Sequence, residues 1–145
     1  MSEVEIKKKK KKKRGITSKS KKKRAIARAT LKQGNGTIRI NRKLLDIYEP
    51  KIMRLKIREP LILAGDVAEK VNININTKGG GIASQTEAAR LAIAKALIEF
   101  TKSDKLKSKY NDYDWTLLVA DTRRKEMRKP NRHGKARAKR QKSYR

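Results

Sequence analysis

The feature that most constrains this chain is the uneven distribution of its positive charge. The formal net charge is +28 over 145 residues. Residues 1–28 carry +12 and residues 123–145 carry +11, so 23 of the 28 charges lie outside the middle 94 residues. Segments this rich in lysine repel themselves and have little apolar surface to bury. The pattern predicts a nearly neutral folded domain between two basic arms.

This distribution divides the chain into three predicted segments. Residues 1–24 are expected to form a basic, mostly disordered arm, residues 25–122 a globular α/β domain, and residues 123–145 a basic, extended tail. The middle segment is long enough for one core. Even domains of about 60 residues bury roughly 60% of the surface that their unfolded chains expose.

Composition also restricts the cellular compartment. The chain has no cysteine, which excludes disulfides and suits a reducing environment. Its apolar runs are much shorter than the ~18 residues of a membrane span. No apolar segment follows the lysine run at 7–13, so we expect no secretory signal. A location inside the cell, away from membranes, is the expectation.

The first half of the predicted domain contains a turn signal and two prolines. Two β-capable runs, residues 25–32 and 37–40, flank the sequence Gln-Gly-Asn-Gly. Asn-Gly pairs favour hairpin turns, so this pattern predicts a hairpin. Asn41 is placed to cap a short helix that ends before Pro50, and a second short helix is predicted to end before Pro60.

The second half combines a strand with a long helix. Residues 71–77 alternate strictly between Val, Ile or Thr and Asn, which is the period of a half-buried strand. Ser84 and Glu87 have the spacing of a capping box, and an apolar stripe continues to Phe100. We therefore predict a helix that starts at Ser84 and packs on the sheet.

The residues that catalysis requires are missing. The only histidine, His133, lies in the basic tail, and there is no cysteine to act as a nucleophile. Ser84 lacks the second glycine of a G-x-S-x-G nucleophile elbow. One histidine and scattered acidic residues form no metal-ligand cluster. We predict that the protein is not an enzyme and binds no metal, cofactor or small-molecule substrate.

The sequence Lys78-Gly79-Gly80-Gly81 lies between the predicted strand and the predicted helix. The glycines would expose backbone N–H groups at the positive end of a helix dipole, beside Lys78, which suits a phosphate. They would equally suit a tight turn that a neighbouring element approaches too closely for a Cβ. The two interpretations are compatible, and the sequence does not choose between them.

The basic arms indicate a nucleic-acid partner. Lys and Arg neutralise phosphates and release counterions, and arginines among the tail lysines add bidentate contacts and stacking. Flexible extensions suit folded RNA better than a duplex read by one recognition helix. The alternative is a DNA-compacting chromosomal protein that binds duplex through the same arms. The lysine run at 7–13 also fits a solubilising or nuclear-import tail.

Five sequence blocks, taken in order, carry a family resemblance. They are AIARATLKQGNGTIRIN, EPLILAG, KGGGIASQTEAARLAIAKAL, YDWTLLVADTRRKE and the terminal AKRQKSYR. In this order they resemble ribosomal protein S-nine of the small subunit, in its archaeal and eukaryotic branch. The resemblance covers the chain from about Lys21 to Arg145 and leaves out the lysine run at 7–13.

This resemblance implies a fold and a cellular role. The implied α/β fold is similar to domain two of ribosomal S-five, with a small mixed sheet of about four strands, helices that back it and a left-handed βαβ crossover. The implied role is that of a structural component in the head of the small subunit of the cytoplasmic ribosome. Small-subunit rRNA and neighbouring ribosomal proteins are the implied partners.

The resemblance also implies which residues bind RNA. The C-terminal tail is expected to reach the decoding region and contact the peptidyl-site tRNA. The residues expected at the tRNA are Lys139, Arg140, Lys142, Ser143, Tyr144 and Arg145. The residues assigned to rRNA binding are Lys22, Lys23, Arg24, Arg28, Lys78, Gly79, Gly80, Gly81, Arg123, Arg124, Arg128, Lys129, Arg132, Lys135 and Arg137.

Overall fold

The computed structural model describes residues 15–137. These residues contain one five-stranded mixed sheet, with the strands in the spatial order β1-β2-β5-β3-β4. β1, β2 and β5 are antiparallel neighbours, β3 runs parallel to β5, and β4 pairs with β3 in an antiparallel sense. The strand bounds are β1 Ile16–Lys22, β2 Ala25–Gln33, β3 Ile38–Ile40, β4 Lys43–Leu44 and β5 Val71–Lys78.

Helices back one face of the sheet. The longest helix, α3, packs on β1, β2 and β5, and α1 packs beside α3. The helices are α1 Lys51–Ala64, α2 Asp66–Glu69, α3 Ile82–Thr101 and α4 Asp104–Tyr113, with 3₁₀ turns at Leu45–Ile47 and Trp115–Leu117. The predicted mixed sheet backed by helices is confirmed, with five strands instead of about four. The left-handed crossover stays a prediction.

β5 is the central strand, and its alternation is confirmed. Val71, Ile73, Ile75 and Thr77 are buried against the helices, whereas the asparagines between them point to the other side. β2 contributes a row of small residues, among them Ala25, to the same core. Small side chains on both β2 and α3 let the helix lie close to the sheet.

The face of the sheet opposite α3 is not covered by a helix, and we refer to it as the open face. It consists of the alternate strand positions that are not buried against α3, and all of these are exposed or half-buried. Register places them in rows across the strands. They are Thr17, Lys19 and Lys21 on β1; Ile26, Arg28, Thr30 and Lys32 on β2; Arg39 on β3; and Asn72, Asn74, Asn76 and Lys78 on β5.

The predicted hairpin of residues 25–40 is wrong, because β5 lies between β2 and β3. β5 pairs with β2 over eight positions and with β3 over three. The long β2–β5 ladder joins two buried apolar rows. A β2–β3 hairpin would pair β2 with a strand of only three residues, so pairing with β5 is favoured. Asn72 holds the Gln-Gly-Asn-Gly loop instead, since its Oδ1 accepts hydrogen bonds from the backbone N–H groups of Asn35 and Thr37 at 2.9 and 3.0 Å.

The sheet also begins before residue 25, so the predicted arm of residues 1–24 is too long. β1 pairs with β2 along its whole length, and Lys23 forms the turn with φ +53°. A lysine-rich segment can be a strand here because its buried positions are serines. Ser18 Oγ donates to the Ala92 carbonyl of α3 at 2.7 Å, and Ser20 Oγ donates to the Ala88 carbonyl. The intervening lysines point to solvent.

Helix boundaries differ from the prediction at three places. Asn41 caps no helix, since its side chain is bonded to Thr77 of β5. α1 continues through Pro60 to Ala64, although an interior proline removes a helical hydrogen bond and crowds the preceding turn. Burial of Ile57, Pro60 and Leu61 in the core opposes this cost. α3 begins at Ile82, and no capping box forms at Ser84.

A buried arginine joins the helices. Arg90 of α3 is 8% exposed, and its guanidinium contacts Glu59 of α1 at 2.5 Å and Asp114, just after α4, at 3.0 Å. Burial opposes ionisation of Asp114, but hydrogen bonds from Thr116 and Arg90 outweigh it and lower its pKa. The stability that Asp114 contributes is therefore present above the pKa of an unfolded aspartate and is lost as pH falls through the lower folded value.

Tyr110 of α4 provides a test of this packing. Its side chain is fully buried, and its hydroxyl donates to the Pro60 carbonyl at 2.7 Å. We expect Tyr110→Phe to lower the free energy of unfolding by roughly 0.5–1.5 kcal/mol, because the change removes a hydrogen bond between two buried groups. Tyr113→Phe is the matched control, since Tyr113 is 55% exposed. Urea denaturation of both variants measures the difference, and equal stabilities would contradict this packing.

Candidate nucleic-acid interface

The β1–β2 turn and the first part of the basic tail line a common cleft of about 930 Å³. This brings together two segments that are separated by about a hundred residues of sequence. Seven of the ten lining residues are cations, and Glu126 is the only acid among them. We call it the basic cleft; its cations are Lys21, Lys23, Arg24, Arg123, Arg124, Lys125 and Arg128.

Asp121 fixes the relative position of the two walls of the basic cleft. Its carboxylate contacts Lys22 Nζ of β1 at 2.5 Å and Arg123 Nη2 at 2.8 Å. It also accepts the backbone N–H of Arg123 at 2.8 Å. Hydrogen bonds from Arg123 and from Lys22 hold the pKa of Asp121 well below its usual value, so the carboxylate stays charged. The tail therefore leaves the domain at a defined point beside β1.

Gly79, Gly80 and Gly81 form a turn, which we call the glycine turn, next to the antiparallel hairpin of β1 and β2. Gly79 has φ +74°, and a Cβ on it would lie 2.6 Å from the backbone carbonyl oxygen of Arg24. Gly80 has φ +65° and approaches the backbone N of Ala25. Gly81 is uncrowded and precedes the first turn of α3. The close-approach interpretation of the first two glycines thus has a direct structural basis, and Gly81 leaves the N-terminus of α3 open.

The predicted rRNA-binding residues fall into four groups: the basic cleft, the open face, the glycine turn and the later part of the tail. Lys23, Arg24, Arg123, Arg124 and Arg128 line the basic cleft, with Lys22 held beside it by Asp121.

Arg28 and Lys78 lie on the open face, and the glycines form the turn at the start of α3. Lys129, Arg132 and Lys135 lie in a turned part of the tail, where the Lys135 N–H donates to the Arg132 carbonyl at 3.0 Å. Arg137 Nε donates to Glu126 at 2.9 Å. The tail residues Lys139, Arg140, Lys142, Ser143, Tyr144 and Arg145 lie outside the described residues.

Sequence reasoning missed several cations that the sheet brings to this region. Lys19, Lys21 and Lys32 lie on the open face, and Lys125 lines the basic cleft. A signal for the first two is present in β1, where Lys and Ser alternate with a period of two. This alternation is easily overlooked, because so high a density of lysine is typical of a disordered arm.

Among the described residues, the side chains best suited to bind a ligand are the lysines and arginines of the basic cleft, which suit phosphate. Within residues 15–137, no group of three or more His, Asp or Glu residues could hold a metal ion. No helix in that range is long and apolar enough to cross a membrane. What the basic cleft provides is a set of exposed Lys and Arg donors at fixed positions, which suits a polyanion. The molecule is therefore a small α/β protein whose basic surface suits a polyanion.

Comparison with known proteins narrows this class. The family model "Ribosomal protein S9/S16" matches residues 20–145. "Small ribosomal subunit protein uS9" of Methanococcus maripaludis strain C7 is 54% identical over 122 residues, which cover 83% of this chain and 91% of the relative. The protein of that name from Methanococcus vannielii is 52% identical over the same shares of both chains. The chain belongs to the ribosomal protein S9/S16 family and is similar to archaeal members of it.

Family membership decides several of the sequence predictions. The resemblance to small-subunit ribosomal protein S-nine is confirmed. The chain is a structural ribosomal protein and not an enzyme, and its place is the cytoplasmic ribosome.

The glycine turn gives a test with an internal control. We expect Gly79→Ala to destabilise the fold by about 1–3 kcal/mol, because it places a side chain in the left-handed region and against the Arg24 carbonyl. Gly81→Ala should change stability by less than about 1 kcal/mol, since Gly81 has φ −111° and no atom near its Cβ position. Thermal unfolding followed by circular dichroism measures both. A tolerated Gly79→Ala would show that the turn does not pack on the hairpin.

Proposed function

We propose that this chain binds small-subunit rRNA in the head of the subunit through the basic cleft and the residues around it. The observation that carries the proposal is that two separate basic segments converge on one cleft, where Asp121 fixes their geometry. A segment that served only for solubility would need no such fixed arrangement. Neighbouring ribosomal proteins of the head are the further partners that we expect.

Phosphate groups are the chemistry that this surface suits. Arg124 and Arg128 present planar guanidinium groups that can bind phosphate in a bidentate manner. Lys23 and Arg24 extend the same surface from the hairpin. The glycine turn adds backbone N–H groups at the start of α3, where a phosphate of the same RNA strand would also be stabilised. Membership in a ribosomal protein family favours rRNA over the DNA-compacting alternative.

We further propose that the C-terminal tail reaches the decoding region and contacts the peptidyl-site tRNA. The tail leaves the domain at Asp121, and residues 123–128 run beside the hairpin. Residues 138–145 are eight residues, and a fully extended chain of that length spans at most about 29 Å. Four of the eight are Lys or Arg. Such a segment can contact an RNA that the folded domain itself does not touch.

The basic cleft is tested by removing charge from one wall. Arg124→Gln with Arg128→Gln should weaken binding of the full chain to purified small-subunit rRNA and lower the salt slope by roughly 0.7–0.9 for each phosphate that is no longer neutralised. Both side chains are exposed, so thermal stability should stay unchanged. Lys105→Gln with Lys107→Gln on α4 removes the same charge elsewhere and is the control. Equal weakening in both double variants would mean that binding follows net charge alone.

The tail is tested by deleting residues 138–145. This removes Lys139, Arg140, Lys142 and Arg145 and leaves all described contacts of the domain intact. Subunits that carry the shortened protein should assemble, but should bind tRNA at the peptidyl site more weakly and with a smaller salt dependence. Filter binding across a salt series measures both. An unchanged affinity and slope would mean that the tail contacts rRNA only.

A further inference from the structure

The open face carries charge of one sign. Six of its positions are cations, and none of its strand positions is acidic. An ordinary solvated face of a small domain mixes both signs. Three of these cations already have a predicted role, since Lys21 lines the basic cleft and Arg28 and Lys78 are predicted rRNA ligands. The six are Lys19, Lys21, Arg28, Lys32, Arg39 and Lys78.

A strained turn lies at the far side of this face. β3 and β4 are joined by the two residues Asn41 and Arg42, since Ile40 pairs with Lys43. Both have positive φ, +46° and +72°. Two-residue turns of this kind favour Asn followed by Gly. Arginine at the second position is therefore held in a conformation that a side chain disfavours, and residues kept under such strain often lie at functional sites.

The structure shows how this turn is fixed. Asn41 Nδ2 donates to Thr77 Oγ1 at 2.9 Å, and the Thr77 backbone N–H donates to Asn41 Oδ1 at 2.8 Å. The Asn41 backbone N–H donates to the Ile75 carbonyl at 2.9 Å. These three bonds attach the turn to the central strand. They set the position of Arg42 without involving its side chain.

Arg42 lines a shallow pocket with one arginine and two asparagines. The pocket is about 250 Å³, and its side chains include Arg39, Arg42, Asn74 and Asn76. All four are exposed. Register places Arg39 directly opposite Asn74 on β5, with Asn76 the next residue along on the same face. The pocket therefore combines two guanidinium groups, which only donate hydrogen bonds, with two amide groups, which both donate and accept them.

We propose that this pocket, which we call the Arg-Asn pocket, is a second RNA-contacting site. The arginines bind phosphate, and the asparagine amides bind ribose hydroxyls or base edges. This rests on the proposed function, because it extends the same RNA-binding surface. The two sites are continuous, since Lys21 and Ile26 belong both to the basic cleft and to the open face. Four residues of β5, or about 13 Å, separate Lys78 from Asn74.

The amides favour RNA over an acidic protein as the ligand. A carboxylate-rich partner would pair with the arginines, but it presents few donors for the asparagine carbonyl oxygens. RNA presents phosphates and 2′-hydroxyl groups at short intervals, and the hydroxyls both donate and accept. The uncharged Asn and Thr positions between the cations fit that alternation.

A glycine substitution at Arg42 should have two opposite effects, one on thermal stability and one on RNA affinity. Arg42→Gly should raise the melting temperature of the full chain, because glycine adopts positive φ without strain. It should also lower affinity for purified small-subunit rRNA by about threefold to tenfold, with a salt slope smaller by roughly 0.7–0.9. A variant that is more stable but binds RNA less well cannot be explained by damage to the fold.

The chain contains a matched control for this variant. Lys102 ends α3 with φ +51° and lies on the helical side of the molecule. Lys102→Gly relieves the same kind of strain and removes the same charge, so it should raise the melting temperature without a change in RNA affinity. Asn74→Ala with Asn76→Ala removes no charge and should lower affinity while leaving the salt slope unchanged.

The outcomes separate this proposal from the function on which it rests. If the native chain binds rRNA and the basic-cleft variant binds less, but the Arg42 and asparagine variants match the native chain, the second site is refuted and the proposed function stands. If the native chain fails to bind rRNA, the proposed function fails. In assembled subunits, crosslinks from residues 39–42 to nucleotides support the proposal, and crosslinks to an acidic protein overturn it.

Discussion

Strand β5 is hydrogen-bonded on both sides, to β2 and to β3, and its side chains alternate without exception between the core and the open face. Val71, Ile73 and Ile75 supply the apolar row against which α3 packs. The two-sided pairing separates β2 from β3. It also directs the end of β5 into the glycine turn, so that α3 starts beside the β1–β2 hairpin.

This arrangement gives the molecule two chemically different sides. The helical side holds the buried ion pairs of Arg90 and the hydrogen bond of Tyr110, which join α1, α3 and the segment after α4. The other side collects cations from β1, β2, β3 and β5 and leads into the basic cleft. RNA bound there as proposed would neutralise these cations and remove their mutual repulsion, which would couple RNA binding to the stability of the charged surface.

Sequence patterns predicted the elements whose signal is local and missed those set by tertiary pairing. The alternation at 71–77 and the apolar stripe of α3 were sufficient for a strand and a long helix. The Asn-Gly turn signal predicted a β2–β3 hairpin that does not form, because β5, which is remote in sequence, lies between the two strands. The arm boundary was wrong because buried serines, not apolar residues, face α3 from β1. Charge clusters indicated five of the seven cations of the basic cleft and missed Lys21 and Lys125. The Arg-Asn pocket could not be predicted, because it depends on the register between β3 and β5.

We propose that RNA covers the open face and the basic cleft and leaves the side formed by the helices free. Lysine reactivity in the full chain, measured by mass spectrometry with and without purified small-subunit rRNA, distinguishes the two sides of the molecule. Protection is predicted at Lys19, Lys21 and Lys32 on the open face and at Lys125 in the cleft, with Lys105 and Lys107 of α4 unchanged. Protection that is uniform over all these lysines, or greatest on α4, would contradict the claim.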